Sequence, residues 1–173
     1  NPLIQQNASG NVTVNAPITF AGDVLNFGGT GDGTATINAG ISGTGNIVKT
    51  GLSTFRFGTL GIAPTIAPST NRWVGTLQIE DGVIRFNNNA QSAATALRAN
   101  PVHFGDNASL ALLTASRDSG DEDDGFETSF RFGTLSGNVG TVWAQVEDQN
   151  TSNYDIVITA LQEGDFGGGL ILQ

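Results

Sequence analysis

The chain has 173 residues, a net charge of −9 at pH 7, and 24 glycines but neither Cys nor Met. The negative charge disfavours binding to nucleic acid, and the lack of Cys excludes disulfides, thiolate metal sites and thiol catalysis. No apolar run reaches the roughly 18 residues of a membrane-spanning helix, so we expect no membrane insertion. Charged residues make up only 13% of the chain, which is typical of an extracellular, β-rich protein. Because the chain begins with Asn1, we expect a processed or excised protein.

Short segments of alternating apolar residues follow one another along the chain, separated by Gly, Asn and Asp. Val12 and Val14 are the first such pair. The later members are Ile18 and Phe20, Phe55 and Phe57, Leu77 and Ile79, Val83–Phe86, Val102–Phe104, Leu110–Leu113, Phe130 and Phe132, Val142–Val146 and Ile156–Ile158. A period of two predicts strands rather than helices. The single helix candidate is the Ala-rich segment Ala90–Ala99, which the following Asn100-Pro101 would end.

The middle of the chain carries a recurrent pattern of strand and glycine turn. Ile41–Gly51 reads ISGTGNIVKTG, Thr54–Gly58 and Gly75–Val83 follow as further strands, and Pro101–Leu112 reads as the next repeat. These residues resemble the autotransporter-associated β-strand repeat, a family of bacterial surface proteins. The resemblance implies a right-handed parallel β-helix. The linker LGIAPTIAPSTNRWVG is longer than the family's usual connection, so one loop should project further.

We therefore predict one all-β domain over residues 1–173, a right-handed β-solenoid with a family-like core at about 41–114. A chain of this length would contain about eight coils of roughly 20 to 25 residues. The segment TFRFGTL at Thr54–Leu60 recurs as SFRFGTL at Ser129–Leu135. We predict that the two copies occupy equivalent positions in the solenoid. The alternative is that this is a common alternating strand.

Residues that could support catalysis are scarce. His103 is the only histidine, and it lies between Val102 and Phe104 in an alternating strand, which predicts an exposed side chain. The single lysine, Lys49, lies in a KTG turn and is expected to be solvated. No nucleophile and base are placed together by the pattern, so we predict that the protein is not an enzyme.

The segment RDSGDEDDG is the most acidic part of the chain. Closely spaced carboxylates repel one another unless water or a cation separates them, and Asp121, Asp123 and Asp124 are the candidate calcium ligands. Their spacing matches neither an EF-hand loop nor a glycine-rich nonapeptide repeat. We therefore expect a solvated loop and no bound metal or other cofactor.

Two tryptophans could contact sugars on a surface. Trp73 and Trp143 offer faces on which a sugar ring can stack, although each lies in or beside a predicted strand. Packing against the core is the alternative for both. Four Asn-x-Ser/Thr sequons occur as well, and in a chain this rich in Asn, Ser and Thr we expect them to be unmodified.

Both ends of the chain have the character of apolar strands. Leu3 and Ile4 lie near the beginning, and Leu170, Ile171 and Leu172 lie near the end. Unpaired strands at the ends of a solenoid recruit further strands unless they are capped. We therefore predict a bacterial structural protein, outside the cell or on its surface, that associates with itself head to tail into filaments. An adhesin module of a longer passenger protein and a carbohydrate-binding module are the alternatives.

Overall fold

The computed structural model describes residues 2–38, 41–57, 73–87, 100–115, 127–147, 155–160 and 162–172. The strands are β1 (Leu3–Gln5), β2 (Val12–Val14), β3 (Ile18–Gly28), β4 (Thr34–Ile37), β5 (Ile41–Lys49), β6 (Thr54–Phe57), β7 (Trp73–Val74), β8 (Leu77–Asn87), β9 (Val102–Ala115), β10 (Glu127–Phe132), β11 (Leu135–Ser136), β12 (Thr141–Glu147), β13 (Asp155–Ala160) and β14 (Gly169–Leu172). None of these ranges contains a helix that could cross a membrane. The helix candidate Ala90–Ala99 and most of the long linker lie outside them.

Every strand pair is parallel, and each joins one turn of the chain to the next. Among the described residues, twelve strands form one sheet, while β10 and β13 pair with each other in a second sheet. Bonds between successive turns span 23 residues from Asn7 to Thr30, 30 from Asn46 to Thr76, and 33 from His103 to Ser136. Parallel pairing at these separations is consistent with a β-solenoid. The predicted all-β fold is confirmed at this level.

Two stacks of strand segments run through the large sheet. The first stack consists of Leu3–Gln5, Leu25–Phe27, Ile47–Lys49, Leu77–Ile79, Val102–Phe104 and Leu135–Ser136, followed by a bridge from Gly137 to Phe166. The second stack consists of Val12–Val14, Thr34–Ile37, Thr54–Phe57, Val83–Phe86, Ser109–Leu112, Thr141–Ala144 and Gly169–Leu172.

We call one segment of each stack, taken in chain order, a rung. The described residues supply seven rungs where eight were predicted, because the later turns of the chain are longer than the expected 20 to 25 residues. A third set of strand segments precedes the first stack in chain order, at Ile18–Ala21, Ile41–Thr44 and Trp73–Val74.

Alternating side chains of the two stacks form the core. Phe27, Phe55, Ile79, Ile84 and Leu110 are fully buried, whereas their neighbours along each strand face outward, as expected for a period of two. The rings of Phe27 and Phe55 pack with centroids 4.9 Å apart. Aromatic contacts of this kind add to the burial of apolar area, so the rungs are joined by side chains as well as by backbone bonds.

Asparagine side chains reinforce the first two rungs. Asn7 accepts a hydrogen bond from the backbone N–H of Thr30 at 3.2 Å, and Asn11 accepts one from Thr34 at 2.9 Å. Asn15 accepts a bond of 2.9 Å from the side-chain amide of Asn38. Two sequon residues, Asn7 and Asn11, thus hold adjacent rungs together.

The repeated Phe-Arg-Phe segments occupy different positions, so that prediction was wrong. Thr54–Phe57 lies in the second stack, opposite Val83–Phe86. Glu127–Phe132 instead pairs with Asp155–Ala160 in the separate sheet, just before Leu135 enters the first stack. Alternation specifies which residues share a face of a strand, but it does not specify which strand is the neighbour.

Candidate functional site

The candidate functional surfaces are the two ends of the stacks, a buried lysine between the second and fourth rungs, and two outer grooves. The ends are defined by a core-facing column in the second stack, in which each residue pairs with the next. Its members are Val12, Ala35, Phe55, Ile84, Leu110, Val142 and Leu170.

Burial changes sharply at both ends of this column. The five inner members are at most 3% exposed, whereas Val12 is 47% exposed and Leu170 is 53% exposed. Both outer residues point toward the core, but each has a neighbouring rung on one side only. Among the described residues, the strand at each end of the second stack pairs with another strand on one side only. Each end therefore presents an apolar side chain beside a row of strand N–H and C=O groups at an open edge.

The residues predicted for self-association divide between the end surfaces and the outer face. Ile4 continues the core-facing column of the first stack next to Phe27 and packs against the core. Leu3 faces outward and is 54% exposed. Ile171 faces outward beside Trp143, and Leu172 pairs with Ala144 through its backbone. Val12 was not predicted, although its place in an alternating pair near the beginning of the chain could have indicated it.

Lys49 lies inside the core, so the expectation that it is solvated was wrong. Its side chain is fully buried in the core-facing column, between Phe27 and Ile79. Its Nζ donates hydrogen bonds to the carbonyl oxygens of Thr50 and Asp81, each at 3.0 Å, and to that of Gly51. The side chain of Lys49 thus crosses the apolar interior, and its ammonium group lies at a polar corner where backbone carbonyl oxygens replace water as hydrogen-bond acceptors.

Burial changes the acidity of this ammonium. Desolvation lowers the pKa of Lys49 from 10.5 to about 8, and the negative charge of Asp81 opposes part of that change. Nζ also lies 5.9 Å from the centroid of the Phe55 ring, which favours the charged form weakly. The lysine is therefore charged at neutral pH but loses its proton far more readily than an exposed lysine does.

The corner around Lys49 depends on stacked glycines. Gly51 and Gly82 have φ values of 71° and 73°, in the left-handed region that side chains with a Cβ disfavour. A Cβ on Gly82 would clash with the carbonyl oxygen of Gly51 and would lie 2.7 Å from Nζ of Lys49. The KTG segment therefore provides the buried cation and also a backbone turn at Gly51, against which the turn at Gly82 packs closely.

A groove of about 340 Å³ lies on the outer face of the second stack. Its lining residues are Thr54, Val83, Arg85, Ser109, Ala111, Thr141, Trp143 and Ile171. The indole N–H of Trp143 is buried and has no hydrogen-bond partner among the described residues, while the rest of the residue is partly exposed. Trp143 and Ile171 were predicted from the sequence as contacts of two different kinds, and the fold brings them together with Arg85.

Trp73 occupies a different environment. Its indole N–H donates a 2.7 Å hydrogen bond to the carbonyl oxygen of Gly45, and its ring packs against the core. Asn100 joins the same region by donating from its side chain to the backbone carbonyl of Trp73. These contacts correspond to the packing alternative for Trp73, whereas Trp143 lines an open groove.

A second groove, of about 630 Å³, has an acidic lining that includes Glu80, Asp81, Asp106 and Asp165. His103 is exposed there, as predicted, and its Nδ1 lies 2.9 Å from the hydroxyl of Ser136. Within the described ranges, no three His, Asp or Glu side chains come close enough to hold a metal ion. The calcium candidates Asp121, Asp123 and Asp124 lie outside the described residues.

Comparisons with known proteins give no further assignment. No family model matches the chain, and neither the curated proteins nor the solved structures contain a significant match. The features from which a function can be inferred are the end surfaces, the corner around Lys49 and the two grooves.

Proposed function

We propose that this protein is a non-catalytic structural subunit that associates with itself end to end. In this proposal the chain is a right-handed parallel β-solenoid related to the autotransporter-associated β-strand repeat family, and it acts outside a bacterial cell or on its surface. The low share of charged residues and the resemblance of Ile41–Gly51 to that family support this setting. Neither a metal nor nucleic acid is required.

The observation that carries the proposal is the exposure of the core-facing column at its two ends. Val12 and Leu170 are about half exposed, while every member between them is buried. In a head-to-tail contact, Leu170 of one copy would take the position beside Val12 of the next. Phe166 would take the corresponding position beside Ile4, so both stacks would continue across the junction.

The expected mechanism is strand addition. Backbone pairing between β14 of one copy and β2 of the next would supply affinity, and the alternating side chains would supply register. Such a contact joins two different surfaces, so it generates an open filament unless the rotation closes into a ring. With rungs about 4.8 Å apart, seven rungs would advance the filament by roughly 34 Å per subunit.

The test combines electron microscopy with light scattering across a range of protein concentrations. We expect filaments or a mass that rises with concentration, and we expect Leu170→Asp to abolish them because it places a charge in the junction. Leu52→Asp is the matched control, since Leu52 is 74% exposed at a corner of an inner rung. Point changes are preferable to deletions, because removing the first rung would expose Phe27 and Ala35.

Two results would overturn the proposal. Wild-type protein that stays monomeric at high concentration would favour the alternative of an adhesin module whose ends are covered by other coils of a longer passenger. Assembly that Leu170→Asp leaves intact, in a variant whose circular dichroism matches the wild type, would place the contact elsewhere. The second alternative, a carbohydrate-binding module, is favoured by the groove that Trp143 lines.

A further inference from the structure

Backbone groups at the last rung alternate between two directions. The carbonyl oxygen of Asp165 accepts a 2.9 Å hydrogen bond from the N–H of Gly137, and the N–H of Gly167 donates a 2.9 Å bond to the carbonyl oxygen of Gly137. Successive residues of a strand direct their N–H and C=O groups to opposite sides. The N–H and C=O of Phe166 therefore point away from the sixth rung, toward the open end of the first stack.

The first rung has the complementary arrangement. The carbonyl oxygen of Pro2 accepts a hydrogen bond from the second rung, and the N–H of Gln6 donates one to it, both at 2.9 Å. The same alternation turns the N–H and C=O groups of Leu3 and Gln5 to the opposite side, away from the second rung. Each end of the first stack thus presents its backbone groups in a fixed phase.

These two phases select one register for the end-to-end contact. With Phe166 of one copy beside Ile4 of the next, the N–H of Phe166 can donate to the carbonyl oxygen of Leu3. The carbonyl oxygen of Phe166 can then accept a bond from the N–H of Gln5. This arrangement repeats the pattern by which Gly137 pairs with Phe166 inside the chain. A shift by one residue would misalign these groups and turn the side chains to the wrong face.

In this register Asp165 of one copy lies beside Leu3 of the next. Phe166 packs against the core, with its ring centroid 5.2 Å from that of Phe104. The side chain of Asp165, one residue earlier, therefore points outward, and it is exposed. Leu3 also points outward and is 54% exposed. End-to-end contact thus places a carboxylate against an apolar side chain and removes water from one side of it.

The groups around this contact offer little positive charge. Residues 1–22 contain no charged side chain. On its own copy, Asp165 lies two residues after the exposed Glu163 and lines the acidic groove. The other titratable residues of that lining are Glu80, Asp81, His103 and Asp106. Among the described residues, neither the groove nor the first rung therefore supplies a lysine or arginine that could replace the lost water at Asp165.

We propose that Asp165 restrains end-to-end assembly while it is ionised, and that neutralising it strengthens the contact. This inference rests on the proposed function, because it requires Asp165 and Leu3 to meet across the junction. Protonation removes the charge and leaves a side chain that tolerates partial burial beside Leu3. The contact therefore strengthens as the pH falls and Asp165 takes up a proton.

The test measures assembly of the full chain at pH 7 by light scattering over a range of protein concentrations. Asparagine mimics the protonated carboxyl group at constant pH, so Asp165→Asn should lower the concentration of half-maximal assembly by about threefold. Asp106→Asn is the matched control. It removes the same charge from the same groove, but on the fifth rung, away from the junction. This control should leave the concentration of half-maximal assembly near the wild-type value.

A second pair of variants tests whether Asp165 and Leu3 meet. Leu3→Lys places an ammonium group beside Asp165 and should lower the concentration of half-maximal assembly by about threefold in the otherwise wild-type chain. In the Asp165→Asn chain the same change should give no further gain, because the charge with which the lysine pairs is gone. Both side chains point outward, so the circular dichroism of every variant should match that of the wild type.

The outcomes separate this inference from the proposed function. Wild-type protein that stays monomeric at high concentration would overturn both. Assembly that Asp165→Asn leaves unchanged, or that Asp106→Asn strengthens equally, would overturn the role of Asp165 alone. An equal gain from Leu3→Lys in both backgrounds would also overturn it, because Leu3 would then lie away from Asp165.

Discussion

The buried position of Lys49 predicts that the protein becomes more stable as the pH rises above 8. In the folded chain the pKa of Lys49 is about 8, against 10.5 for an exposed lysine. Between these values the unfolded chain holds a proton that the folded chain has released. Stability rises with pH wherever the unfolded state binds more protons, so the increase begins near pH 8 and ends near 10.5.

The magnitude follows from the size of the pKa change. A difference from 10.5 to about 8 corresponds to an upper limit of about 3 kcal/mol, because each pKa unit is worth about 1.4 kcal/mol. Nζ lies at a corner of the coil, where Asp81 and three backbone carbonyl oxygens stabilise the charged form. We therefore expect a measured increase of about 1 to 2 kcal/mol.

The assay is urea unfolding followed by tryptophan fluorescence, from neutral pH to 10.5, for the wild type and Lys49→Met. Methionine fills a similar space between Phe27 and Ile79 but does not titrate. Because the chain has one lysine and one tyrosine, the difference between the two proteins isolates Lys49 from Tyr154 and the terminal amine. Identical pH dependence in both proteins would refute the reasoning.

A second measurement covers the case in which Lys49→Met does not fold. The Nζ resonance of the single lysine can be followed by nuclear magnetic resonance in the wild-type protein. We expect its titration to have a midpoint near 8. A midpoint near the ordinary value of 10.5 would show that burial does not destabilise the ammonium, and the predicted increase in stability above pH 8 would then be wrong.

Three further predictions concern stability. Gly82→Ala should lower the free energy of unfolding by more than about 2 kcal/mol, because it combines a positive φ with a backbone clash. Gly10→Ala should change the free energy of unfolding little in the same urea titration, because the space around Gly10 is open. Phe55→Ala should lower the free energy of unfolding by about 3 to 5 kcal/mol, because it removes a fully buried ring. Leu52→Ala should lower it by less than about 0.5 kcal/mol, because Leu52 lies at an exposed corner. Chelator should leave the melting temperature unchanged if the acidic loop 118–124 is only solvated; a large calcium-dependent shift would show that it holds a metal.

The alternation of apolar residues was enough to predict the fold class. Phe55 and Phe57, or Leu77 and Ile79, alternate with polar neighbours, and a period of two places them on one face of a strand wherever that strand pairs. Glycine and asparagine turns between the segments indicated short strands. Sequence also located apolar segments near both ends of the chain, including Leu170.

The candidate sites could be predicted only in part. Trp143 and Ile171 were named as separate surface residues, whereas Arg85 and Ala111 carried no local signal that would assign them to the same groove. Lys49 was assigned to a solvated turn because its neighbours Thr50 and Gly51 are turn residues. Nothing local to the KTG segment shows that the position before this turn faces the core.

What the sequence by itself determined is therefore the period of two, and with it which apolar residues share a face of a strand. Only the tertiary structure decided which segments became neighbours. Parallel strands 20 to 33 residues apart pair according to the length of the turns between them, and this length varies from coil to coil. That register buries Lys49 between Phe27 and Ile79, and it also separates the two Phe-Arg-Phe segments. The physical reason is that alternation repeats every two residues and so carries no information about the partner strand.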